Sequence, residues 1–427
     1  MTGRGASALL VACRLSLALA VWIGAICPPQ IALGDVQQLP IGLPDFPRKV
    51  RRQLPSLRPD QEIRVGPLKL HPSFETSIEF DDNIRLTDGG EEDDVIFTQR
   101  PALIGEARLG DHRVEAGYGL EQLSFVDDQE ENTTNHLAHA ILELNFDNLH
   151  VTASDTMENS TGRVFNEQSA RDHVFLNTVQ LLGRLDRPRW AAESAWTHNT
   201  VDHRTPSQDN SDYGEDVLNL LAGYKLTAKT LVLVEPTVGL LNYDHNVANA
   251  DQSYWQLMGG VRGELTEKLT TVLKLGFQDR QMSDVGGQGQ IPDFDGIVAD
   301  MSLTFKATDT DSISLLYLRR PFPSSFASNS WYRSDRIGAT YRKRFARKWV
   351  LAPRFTWQMN DYPQPGTVAG VTKRREDHFL QAGVSLRYEI QEWLSTGAGY
   401  NFRTRNSNLP TLDYDNNRVA FDVTVAF

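Results

Sequence analysis

From about residue 72 onward, apolar and polar residues alternate one by one over runs of ten to fourteen residues. In "WVLAPRFTWQMN" (349–360), Trp349, Leu351, Pro353, Phe355, Trp357 and Met359 share one parity; Val350, Ala352, Arg354, Thr356, Gln358 and Asn360 share the other. "LQAGVSLRYEI" (380–390) sets Leu380, Val384, Leu386, Tyr388 and Ile390 against Gln381, Ser385, Arg387 and Glu389. Successive side chains of a β-strand point to opposite faces, so this period of two predicts strands with one greasy and one polar face. The closing "RVAFDVTVAF" does the same, with Val419, Phe421, Val423, Val425 and Phe427 on one side and Arg418, Asp422 and Thr424 on the other.

The runs are joined by two classes of connection. Eight are tight and polar, such as "RLGDHRVE" (108–115), "ELTEKLTT" (264–271), "RFARKWVL" (344–351) and "YEIQEWLS" (388–395). Nine are longer and rich in Asp, Asn, Gly, Ser and Pro, such as "DDNIRLTDGGEEDD" (81–94), "ENSTGRVFNEQSA" (158–170) and "DYPQPGTVAGVTKRR" (361–375). The two classes alternate strictly, which predicts eighteen strands, with sixteen as the alternative count. Short turns on one rim and long loops on the other are the mark of outer-membrane barrels, as is an even strand number. Trp190, Trp349, Trp393, Phe345 and Phe146 lie beside the tight turns, where an interfacial girdle would sit. The expected fold is an all-β, single-chain, antiparallel transmembrane β-barrel over residues 72–427. Short turns face the periplasm, longer loops the outside of a bacterial cell, and the last strand pairs with the first near "SFETSIEF" (73–80).

The N-terminal region reads differently. Arg4 precedes the apolar run "LSLALAVWIGAI" (15–26), and Ala32 and Gly34 suit a cleavage site, so residues 1–34 are expected to be a secretory signal. Residues 35–71 are rich in Pro and Arg without a period, and are expected to be a periplasmic tail. Its cluster of Arg48, Lys49, Arg51 and Arg52 reads as solvated. The two cysteines, Cys13 and Cys27, both fall in the expected signal, which leaves no disulfide scaffold and no Cys-based metal site.

A formal charge of −12 argues against nucleic acid as a partner. The charge is unevenly spread: residues 306–418 carry 18 Lys and Arg against 10 Asp and Glu. By alternation Arg336, Arg342, Arg344, Arg354, Arg387, Arg403, Arg405 and Arg418 point inward, and closure puts their strands side by side. They form a candidate basic wall, able to hold carboxylate or phosphate groups through guanidinium forks. The competing expectation is that they pair across the lumen, or with inward acids such as Glu106, Glu115, Glu121, Glu143 and Glu264. The acidic run Asp81, Asp82, Asp88, Glu91, Glu92, Asp93 and Asp94 lacks EF-hand spacing and reads as a solvated loop. His136 with His139, and His198 with His203, are three and five residues apart, which places each pair on opposite faces of a strand. No catalytic, metal or cofactor motif is present, so an enzyme is not expected.

One segment carries a resemblance. "SFETSIEFDDNIRLTDGGEEDDVIFTQRPALIGEARLGDHRVEAGY" (73–118) runs from a strand through Asp-Asn-Ile and an acidic loop into a second strand with a Pro before a tight turn. It resembles the outer-membrane β-barrel porins often encoded with exopolysaccharide biosynthesis and export systems, over about residues 72–427. The resemblance implies a pore through which a polysaccharide is exported, and the basic wall adds the expectation that the polymer is anionic. It also implies outer-membrane lipid, lipopolysaccharide, the barrel-assembly machinery and a periplasmic or inner-membrane export apparatus as partners. The terminal Phe427, with Phe421, Val423 and Val425, looks like the outer-membrane assembly signal. The alternatives are a general or anion-selective diffusion porin, a structural barrel without an open pore, and a membrane-embedded hydrolase.

Overall fold

The computed structural model describes residues 63–162, 167, 170–205, 210–245, 249–283, 291–324, 326 and 329–427. The expected signal and all of the expected tail up to residue 62 lie outside the described residues. A short β1 (Ile63–Val65) folds back on β2 (Leu68–Asp81), so strand structure begins ahead of the residue 72 boundary. Then follow β3 (Asp94–Leu109), β4 (His112–Phe125), β5 (Thr133–Phe146), β6 (Leu149–Gly162), β7 (Asp172–Asp186) and β8 (Trp190–His203). The next six are β9 (Tyr213–Thr227), β10 (Thr230–Tyr243), β11 (Gln252–Thr266), β12 (Leu269–Met282), β13 (Phe294–Lys306) and β14 (Asp311–Pro323). The last are β15 (Trp331–Phe345), β16 (Trp349–Val368), β17 (Val371–Gln391), β18 (Leu394–Ser407) and β19 (Tyr414–Ala426). Each of β2 to β19 pairs antiparallel with its sequence neighbours, and β19 pairs with β2, closing an eighteen-stranded ring.

The seam lies where the alternation places it. Phe421 faces Ile78, Val423 faces Thr76 and Val425 faces Phe74. The Phe427 N–H donates to the Pro72 carbonyl at 3.0 Å, and its ring stacks on Trp393 at 5.7 Å. In hydrocarbon an unpaired strand edge has no water to bond, so every backbone group must find its partner around the ring.

The outer surface is apolar along the strands. On β10, Val232, Val234, Val238 and Leu240 are exposed while Leu231, Leu233, Glu235, Thr237 and Leu241 are buried inside. At the short-turn rim the aromatic girdle is continuous in places. Trp349 stacks between Phe345 at 6.2 Å and Tyr388 at 4.6 Å, and Trp190 pairs across strands with Tyr224. No helix among the described residues is long and apolar enough to cross a membrane; the strands make the crossing.

One expected loop is corrected. Residues 361–375 are largely strand: β16 and β17 run on as a hairpin past their neighbours to a two-residue turn at Ala369 and Gly370. Both turn residues have positive φ, 47° and 80°, which is the conformation whose twist matches a two-residue hairpin and which glycine adopts freely. Pro363 and Pro365 suggested a loop, but a register shift between Asp361 and Pro365 absorbs them.

The face assignment makes a sharp prediction on β14. Leu315 is outward and exposed, while Ser314 faces inward opposite Thr304 and Thr340. Leu315→Arg should destabilise the folded barrel by about 2–4 kcal/mol in vesicles, as a cation near the bilayer midplane does. Ser314→Arg should cost far less in the same urea titration. Removing Phe427 breaks the last seam bond and the Trp393 stack. We expect it to lower the amount of heat-modifiable, folded barrel in outer-membrane fractions while leaving export of the chain to the periplasm intact.

Candidate functional site: the lumen

Register places all eight arginines of the candidate wall on the inner face. Arg336 is opposite Gln358, which leads through Phe379 to Arg405. Arg344 is opposite Val350, which leads to Arg387, and Arg354 leads through Gly383 and Asn401 to Arg418. Three of the eight meet carboxylates: Arg344 makes a fork with Glu389 at 2.6 and 2.9 Å, Arg418 reaches Glu79 at 3.4 Å, and Arg387 stands 3.8 Å from Asp422. Arg336 donates instead to the Gln358 side-chain oxygen at 2.9 Å. Arg405 donates to the backbone carbonyls of Leu412 and Glu167. Arg342 and Arg354 are exposed to the lumen and, with Arg403, form no ion pair with a carboxylate among the described residues.

The inward acids do not supply the missing charge. Glu121 and Glu75 clasp Arg100 at 2.7 and 2.5 Å. Glu143, Glu115 and Glu106 surround Arg113 at 2.5, 2.7 and 3.6 Å. Glu264 takes Lys229 at 2.6 Å, Glu193 takes Arg262 at 2.5 Å, and Glu235 takes Lys274 at 3.1 Å. Each of these acids is matched by a base on its own side of the ring. The expected pairing between the wall and Glu106, Glu115, Glu121, Glu143 and Glu264 does not occur, because nearer cations already hold them.

The lumen is not uniformly polar. On β7 to β10 the inner face is apolar too: Val174, Leu176, Val201, Tyr213, Leu241 and Tyr243 pack into one buried cluster, and Ala191, Leu221, Leu231 and Leu233 into another. Tyr254 lies flat on Gly239, where an added Cβ would come within 2.2 Å of the ring. Alternation of apolar and polar residues is weak on these strands, so their inward packing could not be read from parity.

In the long-connection half of the lumen many of the described inward side chains are buried. Glu167, in the β6–β7 connection, is buried across the lumen from its own strands. Its carboxylate accepts from the Ser324 hydroxyl at 2.6 Å, and its carbonyl accepts from Arg375 at 3.2 Å and Arg405 at 3.3 Å. Arg375 lies over Phe326 and Tyr362 at 4.3 and 4.9 Å, and pairs with the fully buried Asp377 at 2.7 Å. Nearby, the Ser330 hydroxyl accepts from the Ala250 amide at 3.0 Å, joining the β14–β15 and β10–β11 connections. Exposed inward side chains concentrate instead in the short-turn half of β15 to β17, at Thr340, Arg342, Arg354, Ser385 and Arg387.

The remaining candidates have structural roles. Asp94 accepts four backbone amides, from Val95 to Asp128, and Arg85 bridges Glu92, Asp128 and Glu131. The acidic run is thus knitted to the next loop instead of simply solvated. His139 faces inward onto Glu115 at 2.9 Å while His136 bonds the outward Tyr118 at 2.7 Å. His203 likewise meets the buried Asp172, and His198 the outward Asp216. No group of three His, Cys, Asp or Glu suited to a metal exists among the described residues.

A family model described as "Putative beta-barrel porin 2" matches residues 60–427. The chain belongs to that porin family. Its place is the bacterial outer membrane. Among solved structures, OccAB3 of Acinetobacter baumannii aligns over 85% of this chain and 100% of its own, at 11% identity and a TM-score of 0.47. The outer membrane protein opdK of Pseudomonas aeruginosa covers 84% and 99%, at 9% identity and 0.47. No curated protein matches the chain. The family match accords with the porin-like barrel described above.

The buried Arg375–Asp377 pair gives a direct test of the long-connection half. Arg375→Leu leaves the Asp377 carboxylate buried without its cation and should destabilise the barrel by about 3–5 kcal/mol. The double substitution Arg375→Leu with Asp377→Leu should recover most of that loss, measured by urea unfolding of the reconstituted protein.

Proposed function

We propose that this porin-family barrel is an anion-preferring diffusion channel for small solutes. The observation that supports this reading most is the imbalance of charge on the solvated inner face. Arg342 and Arg354 are exposed there with no carboxylate partner, while Glu75, Glu143 and Glu235 elsewhere in the lumen are each held by a cation of their own. Uncompensated guanidinium groups in a low-dielectric tube raise the local concentration of anions and oppose cations. The packed long-connection half favours small solutes over a bulky polymer.

Export of an acidic polysaccharide is the second reading. What favours it is the length of the basic track, from Arg344 beside the short turn through Arg354 and Arg418 to Arg405 near the long connections. Deleting the gene separates the two. Loss of surface polysaccharide with unchanged small-solute uptake supports export, and the reverse supports the channel.

Bilayer recordings under a KCl gradient test the first reading. The reversal potential should show chloride preference at low salt, and the preference should shrink as salt screens the wall. Arg342→Glu combined with Arg354→Glu should shift it toward potassium. Cation preference in the unaltered protein would overturn the proposal.

A further inference from the structure

The top of the solvated region contains a group of donors that the fold leaves unsatisfied. Arg354, Gly383, Asn401 and Arg418 are successive cross-strand partners on β16, β17, β18 and β19, so their inward sides form one row. The next row toward the long connections is Thr356, Gln381, Arg403 and Asn416. The next row toward the short turns is Ala352, Ser385, Gly399 and Ala420, whose small side chains leave space beneath the arginines.

Within these rows the donors converge. The guanidinium Nε of Arg354 lies over Gly383, 3.1 Å from where a Cβ would stand, and the Asn401 side-chain oxygen is equally near that point. Glycine at this position therefore lets Arg354 lie across β17 beside Asn401. The Gln381 amide donates to the Asn401 oxygen at 2.9 Å, which turns the Asn401 NH₂ group away as a free donor. That nitrogen is buried and has no hydrogen-bond partner, and the same is true of Nε on Arg403 and on Arg418. Arg418 is close enough to Arg354 and to Arg403 to repel both. The nearby countercharges are Glu79, 3.4 Å from Arg418, and Asp81, which already accepts from the Asn416 amide at 2.5 Å and the Asn83 amide at 3.0 Å.

Buried donors without acceptors are costly, and three like charges held together are costly again. An oxyanion removes both penalties at once, since it accepts several N–H groups and neutralises the repulsion. We propose that Arg354, Asn401, Arg403 and Arg418 form a saturable binding site for one oxyanion group, carboxylate or sulfate, of a solute in the lumen. The site rests on the reading of the lumen as a solute path and names the chemistry that path recognises. It differs from the diffuse field of the wall, because it demands particular donors in addition to positive charge.

Calorimetric titration of the detergent-folded full chain at low ionic strength tests it, with glucuronate, inorganic sulfate, inorganic phosphate and uncharged glucose as probes. One equivalent of glucuronate or sulfate should bind while glucose does not; the relative affinities of glucuronate, sulfate and phosphate identify which oxyanion fits. Arg354→Gln and Arg403→Gln should each weaken binding about tenfold or more, as loss of a charged hydrogen bond does. Asn401→Asp should abolish it by replacing a donor with an acceptor of like charge to the ligand. Arg347→Gln, an exposed arginine of the β15–β16 turn that belongs neither to these rows nor to the wall, should leave affinity within about twofold. Equal weakening by Arg347→Gln and Arg354→Gln, undiminished binding in folded Asn401→Asp, or no saturable anion binding at all would overturn the site. Because binding is read without current, a barrel that binds but does not conduct keeps the site and refutes the channel. One that conducts anions without saturable binding does the opposite.

Discussion

Everything in this barrel follows from the demand that no backbone N–H or C=O be left bare in hydrocarbon. A helix meets that demand within itself, but a strand meets it only through neighbours, so an array of strands in lipid has to close. The seam between β19 and β2 satisfies two edges that would otherwise be exposed, and it is built from the first and last strands of the ring. Closure then fixes which side chains meet lipid and which share the lumen, and it brings the basic strands β15 to β19 together with the acidic β2. The ion pair of Arg418 with Glu79 and the hydrogen bond from the Asn416 side chain to Asp81 exist only because the ring is shut at that register.

The inner surface is divided by a second constraint, that charge taken out of water must be matched. Around β3 to β13 the matching is short-range: Arg100 and Arg113 are held by acids on their own or adjacent strands, and Arg262 and Lys274 reach Glu193 and Glu235 within three strands. On β15 to β18 it is incomplete, and there the arginines keep water instead. The same physical rule produces a neutral lining on one side and an electropositive one on the other.

Much of this was legible from the chain. Strict alternation on strands such as β16 and β17 separates the two faces, because lipid on one side and water on the other impose opposite polarity on successive residues, and the register keeps each set together across the strands. The two lengths of connection gave the strand number, and parity separated His136 from His139. What parity could not give was partner choice, since which acid meets which arginine depends on the stagger between strands. Nor could it show that Leu176, Leu241 and Tyr243 pack against one another inside, because a strand that is apolar on both faces carries no period. The hairpin at Ala369 and Gly370 was hidden by its prolines, which suggest a loop until a bulge accommodates them. Glu167 gave no local signal at all; its importance comes from residues more than two hundred positions away.

The apolar inner face of β7 to β10 has a consequence for size. Strand number fixes the circumference of a barrel, and from circumference alone eighteen strands describe a wide tube. Here a sector of that circumference carries buried apolar clusters, so the inner surface left for polar groups is smaller than the strand number alone implies. Two barrels of equal strand number can thus differ in bore by the hydrophobicity of a few inward positions. Enlarging or narrowing such a path needs no change in the number of strands, only substitutions at residues that never touch the solute.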